Sequence, residues 1–200
     1  EVFPLFSRLS RKEQSLIFKP LNSRKIVVAT NIAETSITVP GIRFVIDSGL
    51  ARISEYAPRL RTNRLPVTSI SKASADQRKG RCGRVMDGIC IRLYSEDNFN
   101  SRDPFTLPEI KRCNLAGVIL PMIAYRLGSI DTFPFLEPPS KQAVTEGYAQ
   151  LRELGAINKK NRLPHTGKQI SRLPLDPHLS RMIIAARDDS LLREVNIIAA

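Results

Sequence analysis

The sequence predicts an α/β protein: a parallel sheet with helices, followed by a mostly helical domain. Three observations predict it. Short apolar runs at 25–29, 43–47 and 88–94 read as strands, and the first two are β-branched and nearly continuous, as in a parallel sheet buried on both faces. A stretch at 100–108 holds Pro104 and Pro108 and no periodicity, which marks a domain boundary. Beyond it, apolar residues recur at helical spacing. With 200 residues, 42% of them hydrophobic, the chain can build one sizeable core or two small ones.

The elements follow in order. No opening element is recognisable at Glu1. Residues 10–18 read as a short helix, with Ser10 as N-cap and Glu13 at the capping-box position. Thr30 and Asn31 close the first strand with two polar residues, where a ligand loop sits at a strand C-terminus. Pro40-Gly41 makes a turn. Residues 52–56 and 61–67 suit a polar hairpin around 57–59 with a basic exposed face. Ser71 or Ser74 caps a helix that runs through Gln77 into a cluster of arginines. Such a helix places Gln77, Arg81 and Arg84 on one face by three- and four-residue spacing.

The second half reads as helices. One spans 114–127, with Pro121 as a kink or break. Glu137-Pro138-Pro139 is a turn. Ser140 caps a helix that turns Ala143, Val144, Gly147, Tyr148, Leu151 and Leu154 inward and stops at Gly155. Residues 156–163 and 165–173 read as two short strands around Lys159-Lys160-Asn161. Helix, helix and basic two-stranded wing is the order of a winged helix. Helices resume at 178–186 and 191–200, the last running off the chain end. There is no internal repeat.

Charge narrows the function. Lys and Arg number 31 against 19 Asp and Glu, a net charge of +12. Between Arg52 and Arg84 lie nine basic residues opposed only by Glu55 and Asp76, the electrostatic footprint of a nucleic-acid surface. Aromatic content is low and Trp is absent, which favours backbone contacts over base stacking. Cys82, Cys90 and Cys113 have no metal-ligand spacing with His165 or His178, so no metal site is expected. An odd, dispersed cysteine count fits a reducing compartment. With no apolar run of membrane-spanning length and no signal peptide, a cytoplasmic protein without a membrane partner is expected.

The densest feature is Gln77-Arg78-Lys79-Gly80-Arg81-Cys82-Gly83-Arg84. Crowded cations repel one another unless an anion sits among them. Glycines let a ligand approach the backbone, and the arginine fork matches phosphate oxygens. These residues read as a polyphosphate site, with cations placed where charge develops in phosphoryl transfer.

Two motifs then carry a resemblance over nearly the whole chain. Thr30-Asn31-Ile32-Ala33-Glu34-Thr35-Ser36 resembles motif V of DEAH-box ATP-dependent RNA helicases, and Gln77 to Arg84 resembles their motif VI. Phe44-Val45-Ile46-Asp47-Ser48-Gly49 and Leu173-Pro174-Leu175-Asp176-Pro177 are similar to further family segments. Cys82 and the Val39-Pro40-Gly41 turn look most like the bacterial HrpA-type branch.

The resemblance implies a second RecA-like domain at 1–104, incomplete at its N-terminus, a winged-helix domain at 105–176, and the start of a helical ratchet domain at 177–200. It implies ATP and Mg²⁺ as cofactors and single-stranded RNA as substrate, held mainly by its backbone. It also implies a first RecA-like domain of the same protein as partner, because neither a P-loop nor an Asp-Glu-Ala-His box occurs here. Arg81 and Arg84 match arginine fingers, and Gln77 the glutamine that binds phosphate or positions water. Ser36 matches a sensor of nucleotide state. Thr30 and Asn31 match RNA-backbone contacts. Phe18 sits where an aromatic stacks on adenine, or is a core residue of an amphipathic helix. Arg59, Arg61 and Arg64 fall on a hairpin that lies beside the RNA path, or on an ordinary charged hairpin. Arg78 and Lys79 are either solvated, RNA-contacting or nucleotide-linked. Pro40 departs from the family, where an Asp can touch the ribose. Lys159 and Lys160 would mark the wing tip of a structural hub. Two other readings stand beside this one: a non-catalytic nucleic-acid-binding module and a DNA-directed superfamily 2 helicase.

Overall fold

The computed structural model describes residues 1–35, 37–57, 60, 62–84 and 86–199, without the side chain of residue 188. The chain divides into two compact units: Glu1–Glu55 with Arg64–Leu107, and Tyr56–Asn63 with Pro108–Ala200.

The first unit opens with a strand that the sequence did not announce. β1 (Val2–Leu5) pairs in parallel with β2 (Ile26–Ala29). Its four residues include Pro4, which weakens any strand pattern. Among the described residues β1 pairs on one side only, which suits a proline. The crossover carries α1 (Arg11–Ser15), where Ser10 and Glu13 form the expected reciprocal capping box. A 3-10 turn, Leu16–Phe18, then delivers Ile17 to the interior. α2 (Ile32–Thr35) starts directly after β2, where the sequence indicated only a loop.

β3 (Phe44–Asp47) pairs in parallel with β8 (Ile89–Arg92). β4 (Leu50–Arg52) pairs antiparallel with β7 (Val67–Ser69). β5 (Glu55–Ala57) and β6 (Thr62–Arg64) form a further two-stranded piece, most of which belongs to the second unit. α3 (Lys72–Lys79) is capped by Ser71, whose hydroxyl accepts from the Ser74 N–H at 3.2 Å. α4 (Glu96–Asn100) follows, capped by Ser95.

One strand expectation changes. The runs at 25–29 and 43–47 do form parallel strands, but they are not buried on both faces. Phe44 is 62% exposed and Ile46 70%, with Ile89 and Ile91 also exposed. Successive side chains of a strand point to opposite faces, and the described residues of this unit cover only the face that holds Asp47.

The second unit is helical. It contains α5 (Ala116–Ala124), α6 (Lys141–Glu153), α7 (His165–Ile170), α8 (Pro177–Asp188) and α9 (Leu192–Ala199). Pro121 lies inside α5 and does not end it. Leu115, Ile119, Leu120, Val144, Leu151, Ile157 and Ile170 make one apolar cluster. Gly147 lets α6 approach α5, because a Cβ there would meet Ile119 Cδ1 at 2.8 Å. Gly155 takes φ +66° just past the end of α6, as expected of a C-terminal glycine.

The two strands expected at 156–163 and 165–173 are a correction: among the described residues neither forms. Asn158 Oδ1 accepts from the N–H groups of Lys160 and Arg162, folding that stretch into a turn. Residues 165–170 are helical, with Gly167 and Ile170 buried three residues apart. That spacing suits a helix, and Gly167 sits against the Ala156 carbonyl where no Cβ would fit.

Candidate functional site

The site grows from the C-terminal end of α3. The helix stops at Lys79, with Gly80 as C-cap. Gln77 is therefore an exposed residue of the last turn, whereas Arg81 and Arg84 lie in the loop beyond it. This corrects the expectation of a single helical face. The glycines that follow Lys79 favour turns over further helix, and the loop then curls back on α2.

Arg81 lands on main chain. Its Nη2 donates to the Glu34 carbonyl and its Nη1 to the Ile37 carbonyl at 3.4 Å. Its Nε is buried without a partner. Burial lowers the Arg81 pKa first and the neighbouring Arg84 lowers it further, against the opposing pull of Glu34. Arg84 is exposed and donates from Nη1 to Thr38 Oγ1 at 2.6 Å. Two guanidinium groups thus stand within one loop, both held by uncharged oxygens.

Arg78 behaves differently. Its Nε lies 3.1 Å from Glu34 Oε2 and its Nη1 2.8 Å from Asp47 Oδ1, and Nη1 also donates to the Leu50 carbonyl at 3.2 Å. Asp47 is fully buried as a side chain. Burial pushes its carboxyl up, but the Gly49 N–H, Arg78 and the Tyr94 hydroxyl overcome that and leave its pKa below the usual value. Tyr94 donates to Asp47 Oδ2 at 2.9 Å, and its own pKa is pushed up to about 12 by burial, then by that bond. The Arg102 guanidinium lies 3.8 Å above the Tyr94 ring. Gly49, at φ +71°, leaves no room for a Cβ, which would come within 2.5 Å of both Tyr94 and Arg102.

Thr30 and Asn31 have exposed side chains at the start of α2, and their carbonyls accept from the Ala33 and Glu34 N–H groups. The structure therefore brings Thr30, Asn31, Arg81 and Arg84 to adjoining parts of one unit. Phe18 is 45% exposed on its 3-10 turn, so the core position belongs to Ile17 instead. Arg64 is an exposed residue of β6. Ser36, Arg59 and Arg61 lie outside the described residues. Sequence reasoning missed Asp47 and Tyr94 and left Arg78 open. The available signal was an aspartate ending an apolar strand, followed at once by Ser48-Gly49.

Among the described residues no cluster of three or more His, Cys, Asp or Glu could hold a metal ion. No helix among them is long and apolar enough to cross a membrane.

Residues 1–86 match the helicase conserved C-terminal domain. The chain is 54% identical over 205 residues to the ATP-dependent RNA helicase HrpA of Escherichia coli, covering 100% of this chain and 16% of that protein. It is 41% identical over 201 residues to the probable ATP-dependent RNA helicase DHX34 of Mus musculus, covering 100% of this chain and 18% of that one. Among solved structures, the Escherichia coli DEAH/RHA helicase HrpB matches with a TM-score of 0.88 and 32% identity, over 99% of this chain and 25% of that one. The chain thus spans less than a fifth of the length of either of these two curated relatives.

Proposed function

The chain belongs to the DEAH-box RNA helicase family, its residues 1–86 forming a helicase conserved C-terminal domain of RecA-like fold, and from that premise we propose that it is one half of an ATP-driven RNA motor. In this reading it faces a first RecA-like domain of the same protein, which carries the P-loop and acidic box. Residues 1–104 supply the finger side of the ATP site, 105–176 a winged-helix hub with a helical segment in place of a stranded wing, and 177–200 the start of a ratchet domain. The protein acts in the cytoplasm.

The observation that carries the proposal is the pair Arg81 and Arg84 on one loop after α3, beside the α2 segment that starts with Thr30 and Asn31. Bound ATP would present an electrophilic terminal phosphate. Arg81 and Arg84 would neutralise charge on it, and exposed Gln77 would orient water. Arg81 now rests on neutral carbonyls. An anionic phosphate oxygen adds a coulombic attraction to the guanidinium that a neutral carbonyl lacks, which favours exchanging those acceptors for phosphate. The chain's described residues offer polyphosphate donors but no carboxylate cluster, so Mg²⁺ would be held by the other domain. RNA would be gripped through its backbone by Thr30 and Asn31, with Arg59, Arg61 and Arg64 along the hairpin giving salt-sensitive affinity. Strand separation would be mechanical, as closure and reopening draw one strand past that hairpin.

Arg81→Ala in the full-length protein is expected to lower RNA-stimulated kcat by about 10³-fold or more while RNA still binds. Turnover at the original rate would overturn the proposal and favour a purely nucleic-acid-binding module.

A further inference from the structure

Arg78 raises a question that the finger reading leaves unanswered. An arginine with its side chain only 15% exposed is tied to two carboxylates, Asp47 and Glu34, which are 31 and 44 residues away in sequence. Stability alone is a poor reason for such an arrangement, because a buried ion pair is often no better than apolar residues of the same size. What the arrangement does supply is position. The guanidinium is planar and presents Nε and Nη1 along different fixed directions. One side chain can therefore hold α3, α2 and β3 at a set spacing, which a flexible lysine could not do.

The clamp reaches Arg81 by two routes. The Arg81 N–H donates to the Arg78 carbonyl at 3.0 Å, so the finger loop starts from the clamped residue. Glu34 meets Arg78 with its carboxylate and the Arg81 guanidinium with its carbonyl. One residue thus anchors both arginines, and a shift of Glu34 moves the seat of Arg81. Behind it, the buried Asp47 carboxylate is fixed by the Gly49 N–H and the Tyr94 hydroxyl, each at 2.9 Å. The Tyr94 ring is in turn covered by Arg102, whose Nη1 donates to the Gly49 carbonyl at 3.0 Å.

We propose that Arg78, Glu34, Asp47 and Tyr94 are positioning residues that aim Arg81: the buried clamp sets α2 against the end of α3, and thereby the place from which the finger meets phosphate. This inference rests on Arg81 being a finger. It adds that the finger is aimed by residues that touch neither nucleotide nor RNA. It also gives Thr30 and Asn31 a physical link to the nucleotide side, because they directly precede α2 and their carbonyls accept from the N–H groups of Ala33 and Glu34, the latter a clamp residue.

The test uses the full-length protein at saturating RNA, comparing Glu34→Gln, Arg81→Ala and the double variant. Glu34→Gln keeps the main-chain carbonyl and removes only the charge that Arg78 holds. It is expected to lower kcat by about 10- to 100-fold, the range for misplacing a reactive group by about an ångström. RNA affinity should stay near that of the parent, and kcat is taken per folded molecule because loss of the ion pair also lowers the melting temperature. The double variant should be no slower than Arg81→Ala alone, because both changes act through one guanidinium. Tyr94→Phe, which keeps the ring and removes one hydroxyl, should lower kcat in the same direction if Glu34→Gln folds poorly. Full kcat in Glu34→Gln and Tyr94→Phe, or losses that multiply in the double variant, would overturn the clamp while leaving the finger in place. Full kcat in Arg81→Ala would overturn the finger, and the clamp's role with it.

Discussion

The second unit buries Leu115, Ile119, Leu151 and Ile170 in one apolar cluster, whereas the first unit, beside its buried Leu5, Ile17 and Ile70, also buries a charged carboxylate, Asp47. The contrast separates two ways of fixing a structure. Apolar contacts are non-directional and tolerate repacking. Ion pairs and hydrogen bonds are directional, and they hold groups at set distances and angles. The first unit uses the second kind where it carries the candidate chemistry. Its loops must be aimed, and the clamp fixes the directions in which they leave.

If that division is right, the largest loss of stability comes from the apolar side. Leu151 is fully buried, so Leu151→Ala should cost about 2–5 kcal/mol by transfer and cavity terms together. Denaturant unfolding followed by circular dichroism measures it. A cost near zero would show that the second unit's cluster is not what holds it.

The next contrast is in pH. The folded-state pKa of Asp47 lies below its ordinary value, so its stabilisation is present above roughly pH 4 and is lost as pH falls through the lower folded value. Tyr94 behaves oppositely. Its folded pKa of about 12 exceeds the ordinary 10.0, so its contribution is complete below pH 10 and fades as pH rises towards 12. Stability measured across pH should therefore decline at both ends through the first unit. Asp47→Asn should flatten the acid limb and Tyr94→Phe the alkaline one. Limbs that keep their slopes in both variants would remove the network from the account.

The smallest effect sharpens the helical side. The Ser140 hydroxyl accepts from the Ala143 N–H at 3.2 Å at the start of α6. Ser140→Ala should cost about 1 kcal/mol of stability, with no change in nucleotide turnover. A drop in kcat at unchanged folding would mean that the two units do not divide labour as described.

Much of the local structure was legible in the residues. Ser10 and Glu13 announced their capping box, Ser140 and Gly155 bounded α6, and 25–29 and 43–47 were strands because β-branched apolar runs pack well as pleats. β1 was not legible, since four residues with a proline carry too little pattern. The stretch 156–170 misled, because an Asn158 turn and a helix beginning at His165 share the apolar spacing of short strands. At the site, composition and spacing picked out Gln77, Arg81 and Arg84, while Asp47 and Tyr94 stayed invisible. Their meaning depends on partners 31 and 47 residues away.

By itself, the order of residues determined most helices, their caps, two parallel strands and the density of cations near position 80, because these depend mainly on neighbours within a few positions. The tertiary structure alone decided which cation does what. Four arginines and lysines in eight residues are chemically alike in a string of letters. Only folding could enclose Arg78 between two carboxylates, lay Arg81 on main-chain oxygens and leave Arg84 at the surface. Burial and long-range charge gave each its environment, and those are set by distance through space, not by distance along the chain.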